Sequence, residues 1–213
     1  MAVMNFPEKI FVTGTGTGVG KTVVSAILMA GLQAAYWKPI QSGLDEMTDT
    51  EWVQKTTGLP DISFYPETYR LSQPISPHAA AEHDGVQIKL DDFKLPDCAK
   101  FQHLIVEGAG GVMVPINECQ FTTDLIRHLN LPVLLVAKST LGTINHTLLS
   151  LTQLRREGLE VLGVVMNGPV NAVNFDAIET FGRTRVLAQI EPIADINART
   201  LKEAHQRYFG SGC

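Results

Sequence analysis

Residues 9–22 read Lys-Ile-Phe-Val-Thr-Gly-Thr-Gly-Thr-Gly-Val-Gly-Lys-Thr. The apolar run 10–12 predicts a buried strand, four glycines form the loop after it, and an apolar helical pattern follows. Glycines let backbone N–H groups close around oxyanions, and a helix N-terminus adds partial positive charge. These elements together predict a phosphate-binding loop, in which Lys21 reaches the terminal phosphates and the Thr22 hydroxyl holds Mg²⁺.

The spacing of this loop departs from the common phosphate-binding pattern. Gly14 and Gly20 are one residue further apart than that pattern allows, and the strictly spaced position is Thr15. The loop is therefore a lengthened variant. The alternative is an ordinary glycine-rich turn between a strand and a helix, which the Gly-Lys-Thr sequence at the start of the helix disfavours.

The composition is that of an ordinary globular protein. The chain has 213 residues, 45% hydrophobic and 18% charged, so we expect one domain over residues 1–213. The formal net charge of -5 argues against a nucleic-acid partner. No apolar run approaches the roughly 18 residues of a membrane span, so we expect no membrane partner. The N-terminus lacks the pattern of a signal peptide, which favours a cytoplasmic location.

The cysteines also fit a reducing compartment. They are three, Cys98, Cys119 and Cys213, and they show neither metal-type spacing nor a disulfide framework. The chain closes with Gly-Ser-Gly-Cys, and we expect a disordered tail over residues 210–213.

Apolar runs and helical patterns alternate along the chain. The predicted strands are Ile10–Thr13, Ala35–Pro39, Leu104–Glu107, Val133–Ala137, Leu162–Asn167 and Val186–Ile190. The predicted helices are Lys21–Leu32, Asp49–Thr57, Ala79–Glu82 with an uncertain length, Thr122–Leu129, Thr143–Glu157, Ala172–Phe181 and Thr200–Tyr208. This alternation predicts an α/β fold with a mostly parallel central sheet flanked by helices. Together with the phosphate-binding loop, it predicts the three-layer P-loop NTPase type. Residues 58–78, rich in Pro, Ser and Tyr, are interpreted as a long surface segment.

Two strand ends carry charged side chains next to the predicted loop. Lys38 ends the second strand, where it would place a second cation over a transferring phosphoryl group; a lysine that simply emerges into water is the alternative. Ser42, in a Ser-Gly turn, is either a substrate contact or only a turn residue. Glu107 ends an apolar strand, as expected of an acid that holds Mg²⁺, unless it faces solvent. Asp49 opens a helix and is either a further metal ligand or only an N-cap.

Two later segments allow weaker hypotheses. Backbone N–H groups around residues 142–145 enter a long helix and could bind a carboxylate. Asn145 and His146 also fit ordinary first-turn positions. Asn167, at a strand end, could pair with adenine, although Asn is also a common turn residue. Scattered histidines indicate neither a metal cluster nor a catalytic triad.

Taken together, these segments resemble the dethiobiotin synthetases, ATP-dependent enzymes late in biotin synthesis. The resemblance covers residues 9–168 through the phosphate loop, Lys-Pro-Ile-Gln-Ser-Gly, Ser-Pro-His, Val-Glu-Gly-Ala-Gly-Gly, Leu-Gly-Thr-Ile-Asn-His and Val-Met-Asn. It implies a ligase that forms C–N bonds. CO₂ or bicarbonate carboxylates one amine of 7,8-diaminopelargonate (7,8-diaminononanoate), ATP phosphorylates the carbamate, and the second amine closes the ring as phosphate leaves.

The resemblance also implies residue roles. Lys21 and Lys38 are the catalytic pair, and Thr22, Asp49 and Glu107 surround Mg²⁺. The implied ATP contacts are Gly18, Val19, Gly20, Lys21, Thr22, Asp49, Glu107, Gly108, Ala109, Gly110, Asn167 and Gly168, with Pro192, Ile193 and Ala194 framing adenine. The implied substrate contacts are Thr17 and Ser42 at the head, and Gly142, Thr143, Ile144 and Asn145 at the distal carboxylate. A homodimer with substrate near the subunit interface is implied as well.

Three other functions remain as alternatives. Partitioning and cell-division switch ATPases share the predicted fold, but they carry an extra lysine early in the loop, and this loop has none before Lys21. A cobyrinate-type amidoligase needs a glutaminase domain for which this chain is too short. A noncatalytic ATP-binding module would leave Lys38 and Glu107 unexplained.

Overall fold

The computed structural model of the protein describes residues 5–210, in which strands and helices alternate. The strands are β1 (Lys9–Gly14), β2 (Ala35–Trp37), β3 (Ile40–Ser42), β4 (Phe64–Tyr65), β5 (Tyr69–Leu71), β6 (Leu104–Gly111), β7 (Val133–Lys138), β8 (Val161–Asn167) and β9 (Val186–Ile190). The helices are α1 (Lys21–Leu32), α2 (Asp49–Thr57), α3 (Pro77–His83), α4 (Thr122–Leu129), α5 (Thr143–Arg156), α6 (Ala172–Gly182) and α7 (Ala198–Tyr208).

Seven strands form one parallel sheet in the order β4-β2-β6-β1-β7-β8-β9. Its residues alternate between two apolar cores. Phe11 packs into the core beneath α3, α4, α5 and α6, whereas Ile10 and Val12 pack into the core beneath α1, α2 and α7. Strands covered on both faces show no period-two pattern in their sequence. The predicted three-layer fold is confirmed.

The register of the central strands aligns their carboxyl ends. Val12 of β1 pairs with Glu107 of β6, and Gly14 pairs with both Gly111 of β6 and Val136 of β7. Polar residues that follow these strands therefore gather at one edge of the sheet, where ligands of open α/β folds bind.

The interpretation of residues 58–78 as a surface segment is wrong in part. The segment contains a 3₁₀ turn at Asp61–Ser63, and β4 then extends the main sheet at its edge beside β2. β5 pairs with β3 in a separate two-stranded sheet, which buries Leu71. β4 and β5 have only two and three residues, too few to show a pattern in the sequence. Their backbone groups are satisfied by pairing with β2 and β3.

The second predicted strand is likewise shorter than expected. It ends at Trp37, and the chain resumes extended structure as β3 after Lys38 and Pro39. Proline has no N–H to donate to a strand ladder, which accounts for the break. Lys38 consequently leaves the main sheet beside the phosphate loop.

Helices α1 and α7 pack very closely. A Cβ atom built on Gly31 of α1 would lie 1.9 Å from the ring of His205 in α7, so only glycine fits there. Among the helices of residues 5–210, none is both long and apolar enough to cross a membrane. Residues 211–213 of the expected disordered tail lie outside the described residues.

Candidate functional site

The glycine loop between β1 and α1 wraps around the side chain of Lys21. The Lys21 Nζ atom donates to the carbonyl oxygen of Gly16 at 3.2 Å. Gly20, immediately before α1, has φ 99°, and a Cβ there would lie 2.0 Å from Nδ2 of Asn167. Both the left-handed backbone and the close contact therefore require glycine at this position. The same Asn167 Nδ2 donates to the Val19 carbonyl oxygen at 3.1 Å.

Two lysine side chains, two carboxylates and a hydroxyl meet beside this loop. Thr22 Oγ1 lies 3.0 Å from Oδ1 of Asp49 and 2.9 Å from Oε1 of Glu107. The Lys38 ammonium lies 2.5 Å from Oδ2 of Asp49 and 3.2 Å from Oε1 of Glu107. We call the five residues Lys21, Thr22, Lys38, Asp49 and Glu107 the closed end of the site.

Local structure explains why Asp49, rather than a neighbouring acid, reaches the closed end. Asp49 is the first residue of α2, whose N-cap is Thr48. The Glu51 carboxylate is engaged with the Thr48 backbone N–H at 2.9 Å in a capping box. Asp45 and Glu46 are exposed on the preceding loop. The helix start thus directs the Asp49 carboxylate toward Thr22.

Burial makes the electrostatics of the closed end strong. Glu107 is 0% exposed and Lys38 3%. Burial works against the charged form of Lys38, but Glu107 and Asp49 outweigh it and raise the pKa of Lys38. Burial likewise opposes ionisation of Asp49, but the Lys38 ammonium outweighs it and lowers the pKa of Asp49. Burial lowers the pKa of Lys21, against the attraction of Glu107.

The oxygen atoms of the closed end fit a divalent cation. A hydroxyl carries one proton, so Thr22 donates to only one of the two carboxylate oxygens beside it, and the other contact joins two lone pairs. A hard cation with oxygen ligands would remove that repulsion, and Mg²⁺ characteristically uses one or two carboxylates. No group of three His, Cys, Asp or Glu side chains within residues 5–210 offers a rival metal site.

Sequence reasoning missed Tyr36, which contacts Glu107 of the closed end. Its hydroxyl donates to Oε2 of Glu107 at 3.0 Å. Burial, and then the charge of Glu107, raise the pKa of Tyr36 well above its ordinary value, so the phenol stays a neutral donor. Tyr36 and Lys38 are two positions apart, and side chains two apart on an extended chain share a face. This two-residue spacing from Lys38 was the signal in the sequence that could have placed Tyr36 near the site.

A cavity of about 680 Å³ opens above the closed end. It brings together ten of the predicted residues, Thr17, Gly18, Gly20, Lys21, Thr22, Lys38, Ser42, Asp49, Ala109 and Gly110. The Ser42 Oγ atom is buried and has no hydrogen-bond partner among the described residues. The remaining wall was not predicted and is mostly apolar, with Val23, Gln41, Met47, Trp52, Pro74, Ile75, Ser76, Pro77 and Val114.

The residues predicted at adenine lie outside this cavity, at the same edge of the sheet. Asn167 ends β8, and the N–H of Gly168 donates to the Ile190 carbonyl at the end of β9 at 2.8 Å. The loop after β9 carries Pro192, Ile193 and Ala194, of which only Ile193 packs against the core. Packing favours glycine at position 108, because a Cβ atom there would lie 2.8 Å from the Phe11 ring. The Val19 side chain is also buried in the core.

The residues predicted at the distal carboxylate lie on the other side of the phosphate loop. Thr143 lines a second cavity of about 370 Å³ together with Thr17, Lys138 and His146. Gly142 and Asn145 are exposed, and Ile144 is half-buried. Leu141 is 101% exposed. We call residues 140–149 the open end of the site.

Comparison of the sequence with known proteins finds a matching family and named relatives. A sequence family described as an AAA domain matches residues 8–200. The ATP-dependent dethiobiotin synthetase BioD of Paramagnetospirillum magneticum is 49% identical over 192 residues, covering 90% of this chain and 92% of that protein. The protein of the same name from Rhodopseudomonas palustris is 44% identical over 201 residues, covering 94% and 95%. The biotin biosynthesis bifunctional protein BioCD of Bordetella avium is 49% identical, covering 92% of this chain but 42% of that longer protein.

Solved structures of low sequence identity share the fold. The MinD cell division protein of Aquifex aeolicus superposes with a TM-score of 0.55 at 12% identity, covering 97% of this chain and 98% of that one. The septum site-determining protein MinD of Pyrococcus horikoshii, complexed with Mg-ADP, gives a TM-score of 0.54 at 14% identity, covering 96% and 93%. At these identities the likeness extends to the fold alone.

Proposed function

The chain belongs to the dethiobiotin synthetase family, and we infer that it is an ATP-dependent ligase (EC 6.3.3.3) that makes dethiobiotin in biotin biosynthesis. The observation that carries this function is the meeting of two buried lysines, two carboxylates and a threonine hydroxyl beside one cavity, which four of these five residues line. The switch ATPase alternative is less supported, because the likeness to MinD concerns the fold.

We propose that the substrates are ATP, CO₂ or bicarbonate, and 7,8-diaminopelargonate. The closed end would bind the triphosphate through the loop N–H groups and Lys21, with Thr22, Asp49 and Glu107 as ligands of Mg²⁺. The bound metal would neutralise charge on the phosphates. Gly20 is the N-cap of α1, where the partial positive charge of the helix terminus also favours an anion.

Lys38 would act on the carbamate and on the transferring phosphoryl group. Its raised pKa keeps the ammonium charged, and its buried position makes each electrostatic contact strong. Charge moves onto the phosphoryl oxygens and then onto the leaving phosphate, so a fixed cation there favours the transition state over the ground state. The chemistry needs no covalent nucleophile from the protein.

The remainder of the cavity suits a diamine with a hydrocarbon chain. The unpaired Ser42 hydroxyl and Thr17 would receive the polar head. Trp52, Pro74 and Ile75 offer apolar surface to methylene groups. Burying an unpaired hydroxyl is unfavourable, so a substrate amine or carbamate that pairs with Ser42 gains affinity.

The adenine and the distal carboxylate would occupy the two flanks. Asn167 keeps one amide proton and its carbonyl oxygen for the base after donating to Val19. Gly168 and residues 192–194 would frame the ring. Backbone N–H groups of residues 142–145, at the start of α5, would hold the carboxylate.

We further propose a homodimer in the cytoplasm. Exposed apolar side chains surround the open end, with Leu141 101%, Leu149 62% and Met113 46% exposed. Leu149 and Met113 line one further cavity of about 420 Å³ with His146. A second subunit that covers this surface would remove its apolar side chains from water and enclose the distal part of the substrate.

The decisive assay is the release of ADP with and without the diamine. We expect diamine-dependent ADP release in the presence of Mg²⁺ and bicarbonate, and a product with the mass of dethiobiotin. The variant Lys21→Ala should abolish it, whereas Lys55→Ala, a matched change at an exposed lysine on α2, should leave it unchanged. Equal ATP turnover with and without the diamine would contradict the function and favour a switch.

A further inference from the structure

The Tyr36 hydroxyl has no assigned role in the chemistry described above, yet it occupies a specific place. Tyr36 is fully buried, and its hydroxyl donates to Oε2 of Glu107 at 3.0 Å. The other oxygen of Glu107, Oε1, receives the contacts from Thr22 and Lys38. The two oxygens of one carboxylate thus face different partners.

The sheet register fixes this contact. Tyr36 of β2 pairs with Ile105 of β6, and Glu107 lies two residues further along β6 on the same face. The Tyr36 hydroxyl therefore contacts the Glu107 carboxylate diagonally across the two strands. It meets the oxygen that Thr22 does not contact. Both strands have a neighbour on each side in the sheet, so neither partner can shift without disturbing the ladder.

Packing of the ring does not require the hydroxyl. The Tyr36 ring lies 6.1 Å from the Phe64 ring in a tilted arrangement, and its core neighbours are apolar. Phenylalanine would meet those contacts equally well. The hydroxyl instead places a neutral donor on a carboxylate that is 0% exposed. A neutral donor fixes the carboxylate without adding a charge that would repel a cation.

We propose that Tyr36 is a positioning residue, which holds Oε2 of Glu107 so that Oε1 stays directed toward Thr22 and the metal. This inference rests on the proposed role of Glu107 as a ligand of Mg²⁺. Without the hydroxyl, Oε2 is buried with no donor and the carboxylate can rotate to seek one. Partners that orient a metal ligand in this way commonly change metal affinity by about 10–100-fold when they are removed.

The test is the affinity of Tyr36→Phe for Mn²⁺, measured by electron paramagnetic resonance with a nonhydrolysable ATP analogue bound. We expect Mn²⁺ binding about 10-fold weaker than in the unmodified protein. In turnover assays the Mg²⁺ concentration at half-saturation should rise by a similar factor, with an unchanged KM for the diamine. Tyr65→Phe is the matched control, because it deletes a hydroxyl on the adjacent strand β4, where the partner is the Asp97 carbonyl.

Two further variants separate this inference from the proposed function. Glu107→Gln should weaken Mn²⁺ binding by itself, and adding Tyr36→Phe to it should cause no additional loss. If Glu107→Gln weakens binding but Tyr36→Phe does not, the positioning role is wrong and the role of Glu107 stands. If neither variant changes Mn²⁺ binding, both are wrong. All measurements are made well below the thermal midpoint of each variant, so that a loss of stability is not counted as a loss of affinity.

Discussion

The closed end and the open end of the site are built in opposite ways. At the closed end, Lys38 and Glu107 are buried and each charged group already has a partner within the chain. At the open end, Gly142 and Asn145 are exposed and Leu141 has full solvent access. A single copy of the chain therefore preorganises the groups proposed for phosphoryl transfer. In the proposed binding mode, recognition of the distant part of the substrate would depend on surfaces that only a ligand or a second subunit completes.

We expect the largest effect on turnover from removing the charge of Lys38 at the closed end. The substitution Lys38→Met keeps much of the side-chain volume but removes the charge, and we expect kcat to fall by about 10²–10³-fold or more. Stability should also fall, because the buried Glu107 loses a cationic partner, and losing one partner of a buried pair costs about 3–5 kcal/mol. Single-turnover rates and thermal unfolding measure the two effects.

Lys55→Met on α2 is the matched control for this change, since Lys55 is exposed. It should preserve both rate and stability. A kcat for Lys38→Met within a few fold of the unmodified protein would show that the closed end holds nucleotide without assisting transfer.

An intermediate effect is expected at the open end. Leu149→Glu places a charge on the exposed apolar surface beside His146. It should shift the protein toward monomer in sedimentation velocity, and raise the KM for the diamine by about 10-fold, the equivalent of about 1.4 kcal/mol. Chemistry on bound substrate should change little, because the closed end is intact.

Val173→Glu, at an equally exposed apolar position on α6, serves as the control for the dimer surface. If Val173→Glu dissociates the protein and Leu149→Glu does not, the subunit interface lies on α6 and the open end is completed by substrate alone.

The smallest effect is expected at Asp84, which lies outside both ends of the site and outside the lining of the cavity. Asp84 accepts hydrogen bonds from the hydroxyl and backbone N–H of Ser72, and these contacts lower its pKa to about 2. Because the folded pKa is depressed, this contribution to stability is present above the unfolded pKa of about 3.9. It is lost as the pH falls toward about 2.

The variant Asp84→Asn should therefore be slightly less stable at neutral pH, with a shallower loss of stability across that acid range. Urea unfolding at a series of pH values measures this difference, with the exposed Asp91→Asn as control. Parallel acid profiles for Asp84→Asn and the unmodified protein would mean that Ser72 is held by other contacts.

Local sequence was sufficient to predict the closed end in outline. The loop, Lys38 and Glu107 stand next to strong apolar runs, and parallel strands bring their carboxyl ends together without further information. The dethiobiotin synthetase resemblance is confirmed by relatives at 44–49% identity. The assigned roles of the site residues stay predictions.

Contacts that depend on tertiary pairing were not predictable. Tyr36 meets Glu107 across two strands whose register is set by the whole sheet, so the two-residue spacing from Lys38 indicates a shared face but not the partner. Strands β4 and β5 are too short to show a period and exist because β2 and β3 offer them edges. Residues 74–77, which form part of the cavity wall, belong to the segment 58–78 that was interpreted as a surface segment. This part of the wall was therefore not predicted.

The close fit of Gly31 against His205 has a consequence for synthesis of the chain. The helix that presents Lys21 is backed by α7, which is synthesised after the other helices of residues 5–210. An amino-terminal fragment that ends before α7 contains every residue of the nucleotide loop, but it lacks the element that supports the loop's helix. We therefore expect weaker nucleotide binding by such a fragment than by a chain that includes α7.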